Sequence, residues 1–371
     1  MPEQLTGSRP TLEAVAARAG VSRATASRVV NGGEGVRAPL VDKVRDAIRE
    51  LGYVPNHAAR TLVTRRTDAI AVIIAEPETR IFSDPFFSRQ IRGISKELSA
   101  HDTQLVLLLV EDRGDYERIE RYLAGGHVDG ALAFSLHTDD PLPAITRRIG
   151  LPTVYGGRPG WTTDAGSGEG AGAGNSTATG TGTGTGPHDV VAYVDADNRG
   201  GAREAVRHLL ERGRQRIAHI AGPLDQTSAV DRLAGYRDEL PDHEPELVAE
   251  GDFTAAGGAR AMAELLDRRP RLDAVFAAND LMATGALRVL RERGRTVPDD
   301  VAVVGFDDAQ AVAEAADPPL TTVRQDVEGM GRLMARLLLR TLRPTDAPTD
   351  DPAPPPTPVI TPTVLVRRAS A

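Results

Sequence analysis

The sequence predicts a small all-α N-terminal domain followed by a larger α/β body of two parallel-sheet subdomains. Three observations carry this. Up to residue 66 the apolar residues recur at helical spacing in short runs punctuated by Gly and Asn. From residue 67 continuous apolar runs of strand length alternate with helical stretches, the pattern of parallel strands covered by helices on both faces. That alternation runs on for roughly 300 residues, too many for one sheet of ordinary size, so the body divides into two subdomains.

The N-terminal runs are read in order. In TLEAVAARAG, Thr11 is the expected N-cap, Leu12, Val15 and Ala16 form the apolar face, and Gly20 ends the helix. A three-residue turn leads to Ser22, the cap of a second run, VSRATASRVVN, which stops at NGGEG. In APLVDKVRDAIRELG, Leu40, Val41, Val44, Ile48 and Leu51 lie at helical spacing ahead of Gly52. After YVP, Asn56 caps a weaker fourth run, HAARTLVTRR.

In the body, strand-like runs appear at DAIAVIIAE, TQLVLLLVED, VDGALAFS, LPTVYGG, RIAHIAGP, LDAVFAAND and VAVVGFDD. Helical stretches such as FFSRQIRGISKELSAH, NRGGAREAVRHLLERG and DLMATGALRVLRERG separate most of them. Between Gly156 and Gly186, 12 of 31 residues are glycine, so residues 160–188 or thereabouts are expected as a disordered surface insertion. No lysine-bearing helix follows this stretch, which separates it from a phosphate-binding loop. A Pro-rich connector, RPTDAPTDDPAPPPTP, is expected ahead of one last strand, VITPTVLVRR.

Charge and composition narrow the function classes. The formal net charge is −8, yet residues 1–66 hold 11 Lys+Arg against 6 Asp+Glu, and the remainder holds 33 against 46. A basic head on an acidic body confines any polyanion contact to the head. With no cysteine, disulfides, thiolate metal sites and cysteine nucleophiles are excluded. No window approaches a membrane span and the start MPEQLTGSRP lacks an apolar signal core, so a cytoplasmic protein with no membrane partner is expected. No H-E-x-x-H, G-x-S-x-G or P-loop is present. Asp307 and Asp308 are adjacent, so in extended chain they point to opposite faces rather than acting jointly. Neither enzymatic activity nor a cofactor or metal is expected.

Two short helices joined by a tight turn make a helix-turn-helix, whose second helix enters the DNA major groove. On that reading Val21, Val29 and Val30 face inward, while Ser22 caps the helix and leaves N–H groups to meet a phosphate. Arg23 and Ala24 begin the exposed face, and Arg28 can fork onto guanine O6 and N7. Small Ala26 and Ser27 would allow close approach to the bases. The alternative is a structural three-helix bundle with a solvated basic face.

Across this whole segment the sequence resembles the LacI/GalR (lactose-repressor/galactose-repressor) family. The motifs AGVS, SRVVN, LGYVPN, VDGALAFS, GYRDEL, AAND, VVGFDD and PPLTTVRQD carry the resemblance almost to the C-terminus. It implies a helix-turn-helix DNA-binding domain over residues 1–55, a hinge helix over 56–66, and a periplasmic-binding-protein-like (type I) effector-binding and dimerisation body over 67–371. Expected DNA contacts are Thr11, Ser22, Arg23, Ala24, Thr25, Ser27, Arg28, Asn31, Tyr53 and Asn56. In the hinge, Leu62 matches a leucine that enters the minor groove and Ala59 the residue packed beside it, in line with kinking by apolar wedges. The implied partners are a near-palindromic double-stranded DNA operator, a second copy of the chain in a homodimer, and a small-molecule effector.

Ligands of parallel α/β sheets bind outside the carboxyl ends of the strands. Those ends offer Phe86 and Phe87, then Gln226, Ser228 and Arg232, then Asn279 and Asp280, then Asp307 and Asp308. By resemblance Arg232 and Asp307 match the family's charged effector contacts, with Asn279 and Phe253 nearby and Asp195 a further candidate. An arginine and a carboxylate facing each other can bracket adjacent hydroxyls against an aromatic ring, which suits a sugar. A purine would also suit the aromatics, but Gln226 stands where purine-binding relatives carry arginine. Asp280 is read as a helix cap, and Phe87 as either a ligand contact or core. The implied function is a transcriptional regulator, expected to be a repressor; an activator, a co-repressor-dependent regulator and a sugar-binding transport protein are the alternatives.

Overall fold

The structure is a computed structural model that describes residues 10–30, 35–54, 66–160, 191–242, 244–342 and 358–371. The chain divides into two compact units, residues 1–67 and 68–371. Asn31, Asn56, Ala59 and Leu62, with nearly all of the expected hinge helix and Gly-rich insertion, lie outside the described residues.

The first unit contains α1 (Leu12–Ala19), α2 (Arg23–Val30) and α3 (Ala38–Leu51). Thr11 starts α1, its Oγ1 accepting the Ala14 N–H at 3.3 Å, and Gly20 stops it. Val15, Ala19, Val44 and Ala47 form the centre of a small core, ringed by half-buried Val21, Val29, Ile48, Leu51 and Tyr53. One expectation is corrected: Ala26 is fully buried and faces no base. It lies three residues before Val29 and so shares that residue's inward side of α2.

The second unit consists of two lobes, each built on one six-stranded sheet. The first lobe starts with β1 (Ala69–Ile74), α4 (Glu78–Ser83), α5 (Pro85–Ser99), β2 (Gln104–Leu109) and α6 (Arg113–Ala124). It continues with β3 (Gly130–Phe134), α7 (Leu142–Arg148), β4 (Thr153–Gly156) and β5 (Tyr193–Ala196). The second lobe starts with α8 (Asn198–Glu211), β6 (Ile217–Ala221), α9 (Thr227–Glu239), a 3₁₀ turn at Pro245–Leu247, β7 (Val248–Glu250) and α10 (Ala255–Arg268). It continues with β8 (Ala274–Ala277), α11 (Asp280–Glu292), β9 (Ala302–Asp307), α12 (Gln310–Ala313) and β10 (Thr321–Arg324). The chain then returns to the first lobe for α13 (Val327–Thr341) and β11 (Val359–Thr361), and ends in the second with β12 (Val364–Val366).

The sheet orders are β11-β5-β4-β3-β1-β2 and β12-β10-β9-β8-β6-β7. Among the described residues every pairing is parallel except β10 with β12. Apolar clusters cover both faces of each sheet, which is why most strands read as unbroken apolar runs. The helices over the first sheet pack tightly: a Cβ on Gly93 of α5 would lie 2.0 Å from the Glu328 carbonyl oxygen of α13, so only glycine fits.

Two strand expectations change. TQLVLLLVED forms β2, but as an edge strand it is only partly covered, with Leu107 38% exposed. VITPTVLVRR is two strands rather than one: Pro362, lacking an N–H, separates β11 from β12, and the two join different sheets. Strands β5, β7 and β10 add to those expected.

Among the described residues the chain passes between the lobes three times: at Asp197, at Gln325–Asp326 and at Pro362–Thr363. Strands β5 and β11, and β10 and β12, end their sheets on one side, so all three passages share that edge. Two double as helix caps, Asp197 accepting the Gly200 N–H at 2.8 Å and Asp326 that of Gly329 at 2.9 Å.

Candidate nucleic-acid interface and effector cleft

On α2, Ser22 Oγ accepts the Thr25 N–H at 3.1 Å and shares a hydroxyl bond with Thr25 Oγ1 at 2.9 Å. Ser22, Arg23, Ala24 and Arg28 are exposed, while Thr25 and Ser27 are half-buried. Arg23 Nε donates to Glu13 Oε1 of α1 at 2.6 Å, so it is tied back to its own domain. Arg28, by contrast, is exposed and has no ion-pair or hydrogen-bond partner among the described residues. A solvated guanidinium on an uncovered helix face retains the fork geometry that suits a guanine edge. Tyr53 packs its ring against the helical core, and Thr11 remains exposed at the start of α1.

In the second unit, the strand ends of both lobes line a cleft holding about 870 Å³ of atom-free space, part of it open to solvent. A chain of buried polar groups runs through its inner part. Arg232 of α9 lies with Nη2 3.6 Å from Asp307 Oδ1, and its Nε donates to Asn198 Oδ1 at 2.9 Å. Its Nη1 donates to the Ala278 carbonyl, and its guanidinium carbon sits 3.7 Å over the Phe306 ring. Asn198 Nδ2 passes the chain on to Asp195 Oδ1 at 2.9 Å, and Asp195 also accepts the N–H groups of Arg158 and Ala196 at 2.8 Å each. Gln325 Nε2 donates to Asp307 Oδ1 at 2.5 Å.

Burial dominates the electrostatics here. It lifts the Asp307 carboxyl to about 6 against the pull of Arg232, and lifts Asp195 to about 6 against two backbone N–H donors. Burial also lowers Arg232, with Asp307 and Asp195 opposing it. Backbone strain concentrates at the same strand ends, since Ser135, Phe253 and Asp307 all take positive φ (58°, 62° and 103°) and all line the cleft. Strain of this kind collects at functional sites. Phe253 is held by Asn279 Nδ2, which donates to its carbonyl at 2.9 Å. Its ring lies where a Cβ on Gly222 would be, 2.3 Å from Cζ.

Towards the far edge from the chain passages lies a second polar group. Glu76, just after β1, is buried; it accepts Ser135 Oγ at 2.6 Å and Gln226 Nε2 at 2.7 Å, and pairs with Arg80 Nη1 at 2.5 Å. His137 puts Nδ1 2.7 Å from Asp225 Oδ2 and Nε2 3.6 Å from Glu76. Burial pushes Glu76 up, but His137, Arg80 and its other donors outweigh that and hold it below the usual carboxylate range. The bond to Glu76, aided by Asp225, raises His137 to about 9, so it is cationic at neutral pH. Thr138 donates N–H and Oγ1–H to the Asp225 carbonyl at 2.8 Å each, and Arg158 meets Asp231 at 2.6 Å. These contacts join the two lobes.

Of the expected cleft residues, Phe86, Asp195, Gln226, Ser228, Arg232, Phe253, Asn279 and Asp307 line the space. Phe87 does not: it is buried in the first-lobe core, stacked on Phe134 at 6.2 Å between centroids. Asp280 is not the cap of α11 either. Asn279 caps that helix through the Met282 N–H, while Asp280 accepts from Thr322 Oγ1 and the Ala309 N–H and so braces β10 and the turn after β9. Asp308 turns away from Asp307, to Arg324 and Arg368. Sequence reading missed Asn198, Gln325, Glu76, Arg80 and His137. The first two follow β5 and β10, and recognising those strands would have exposed them through the same strand-end rule.

Residues 11–56 match the family model for bacterial regulatory proteins of the lacI family, and residues 206–371 the model of a periplasmic binding protein-like domain. The HTH-type transcriptional regulator CelR of Thermobifida fusca is 50% identical over 331 residues, 88% of this chain and 90% of that protein. The ribose operon repressor of Escherichia coli K12 is 34% identical over 334 residues, 87% and 90% of the two chains. Among solved structures, the complex of the transcriptional regulator CelR with cellobiose aligns with a TM-score of 0.71 at 46% identity, covering 98% of this chain and 100% of that one. The lac repressor dimer bound to operator and the anti-inducer ONPF aligns at 0.77 and 26% identity, covering 98% and 99%. No helix among the described residues is long and apolar enough to cross a membrane.

Proposed function

We propose, from the premise that this chain belongs to the lacI family of bacterial regulatory proteins, that it is a homodimeric repressor released from its operator by a carbohydrate. The observation that carries the ligand class is the buried chain Asp307–Arg232–Asn198–Asp195 along the cleft. Alternating acceptors and donors, close to the ring of Phe253, match the vicinal hydroxyls and apolar face of a pyranose. Gln226, engaged with Glu76, stands where the family resemblance gives purine-binding relatives an arginine. The similarity to a regulator solved with cellobiose supports the same class.

On DNA, two heads of a two-fold dimer read the half-sites of a near-palindrome, with Arg28 supplying base readout and Ser22, Thr25 and the start of α2 meeting the phosphate backbone. The effector acts through its differential affinity for two arrangements of the lobes, a coupling of ~1–3 kcal/mol. To test this, duplexes bound by the full chain are selected from a random pool, and the winner is titrated with saccharides and nucleobases. Release by a saccharide supports the proposal. A pool without a symmetric consensus, or release by a nucleobase alone, refutes it.

A further inference from the structure

Two neighbouring residues at the end of β9, Asp307 and Asp308, take positive φ of 103° and 44°. Neither is glycine, so this turn is strained, and such backbone persists only where its surroundings over-determine it. Several restraints come from the second lobe itself. The Ala309 N–H donates to Asp280 Oδ2 at 2.7 Å, and the Asp308 carboxylate accepts from Arg324 and Arg368 at 2.6 and 2.7 Å. One restraint comes from the first lobe. Arg89, on α5, donates from Nη1 to the Asp307 and Asp308 carbonyls at 3.3 and 3.1 Å. Arg89 is half-buried, is not among the residues lining the cleft, and has no carboxylate partner among the described residues.

We infer that Arg89 is the positioning residue that couples occupancy of the cleft to the arrangement of the lobes, acting through the Asp307 backbone without touching the effector. The inference rests on the reading of the chain as an effector-controlled regulator, not on the sugar class. Helix α5 is fastened to its own lobe, with Gly93 packed against Glu328 of α13. Its Arg89 therefore reaches the turn after β9 only when the lobes bring α5 and β9 together. In that arrangement its two hydrogen bonds hold the turn from which the Asp307 carboxylate enters the cleft. When α5 withdraws, the carbonyls lose their cation and the strained turn loses a restraint. An effector bonded to Asp307 accordingly favours the arrangement in which Arg89 reaches, and this differential is what shifts the equilibrium. Asn279, bonded to Phe253 and Met282 of its own lobe, supplies no such differential.

The test combines calorimetry with saccharides and anisotropy on the selected duplex, for the full chain as wild type, Arg89→Met, Arg89→Ala and Arg92→Met. Arg92 stands three residues along α5 but pairs with Glu328 of its own lobe at 2.7 Å, so its variant controls for the loss of a cation. Because coupling between binding sites is reciprocal, one loss is read twice. Both Arg89 variants are expected to bind the releasing saccharide ~10-fold more weakly, as for a lost hydrogen bond from a charged group. The ratio of operator affinities without and with that saccharide should fall by the same factor, while operator affinity without it is not reduced. Arg92→Met should match wild type within about twofold, and melting of each ligand-free variant reports on folding. An unchanged ratio in the Arg89 variants, with or without weaker operator binding, overturns the inference. So does an equal fall in the ratio for Arg92→Met. A wild-type complex released by no saccharide and no nucleobase refutes the effector-controlled reading, and this inference with it. Release by a nucleobase alone refutes the carbohydrate class only, and the same ratios are then read with that nucleobase.

Discussion

Replacing Arg232 with Met tests the inner cleft most directly. The substitution retains an apolar stem but removes the ion pair to Asp307, the bond to Asn198, the bond to the Ala278 carbonyl and the contact over Phe306. Breaking a buried pair by deleting one partner costs ~3–5 kcal/mol because the other charge is stranded. Asp307 has an escape, since its carboxyl already titrates at about 6 and loses the group that lowers it. Its folded pKa lies above the unfolded value, so the ionised form destabilises at high pH and the penalty is relieved as pH falls through the folded pKa. With the cation gone that relief begins at a higher pH. The expected loss at pH 7 is therefore at the lower end, about 3 kcal/mol, shrinking towards pH 5. Urea denaturation of wild type, Arg232→Met and Arg232→Met/Asp307→Leu at both pH values reads this out. The double variant should recover much of the loss, and saccharide binding should vanish in both while operator binding persists. A deficit below about 1 kcal/mol that ignores pH, with saccharide binding intact, would refute the account of the cleft.

Two further predictions concern the head and the effector. Arg28→Ala should weaken operator binding by ~1–3 kcal/mol and random-duplex binding far less. Its melting temperature should not change, because the side chain is exposed and without a partner among the described residues; anisotropy titrations on both duplexes check this, and equal losses would assign Arg28 to phosphate. Effector affinity should fall as pH drops through about 6, where Asp307 and Asp195 take up protons and cease to accept hydroxyl hydrogens. Calorimetry between pH 5 and pH 8 would show it, and a flat profile would mean that neither carboxylate accepts from the ligand.

The sequence was most readable where one physical rule governs a residue. Alternating apolar runs and helices gave the two-sheet body, because strands covered on both faces admit few polar residues. The strand-end rule found Asp307 and Asn279, which follow long apolar runs. It failed at β5 and β10, four residues each, whose polar members (Asp195, Thr321, Thr322) disguise them as loop. Phe87 and Ala26 show a different limit. An aromatic beside a cleft and a small residue on a recognition helix each have two faces to choose from, and neighbours distant in sequence decide. For Phe87 the decisive neighbour is Phe134, and for Ala26 it is the packing of three short helices. Arg80 was invisible for the same reason, since its place in the cleft is set by Glu76 and Phe253.

The passages between the lobes contain one, two and two residues, so none can stretch beyond ~7 Å. With both aspartate caps fastened at their ends, these segments act as a pivot rather than a tether. Sliding the lobes apart would tear strands from both sheets, so twisting about that margin is the motion left to them. A few degrees there becomes a displacement of ångströms at the opposite rim, where His137 faces Asp225. The fulcrum of any such rotation is the backbone of these three segments.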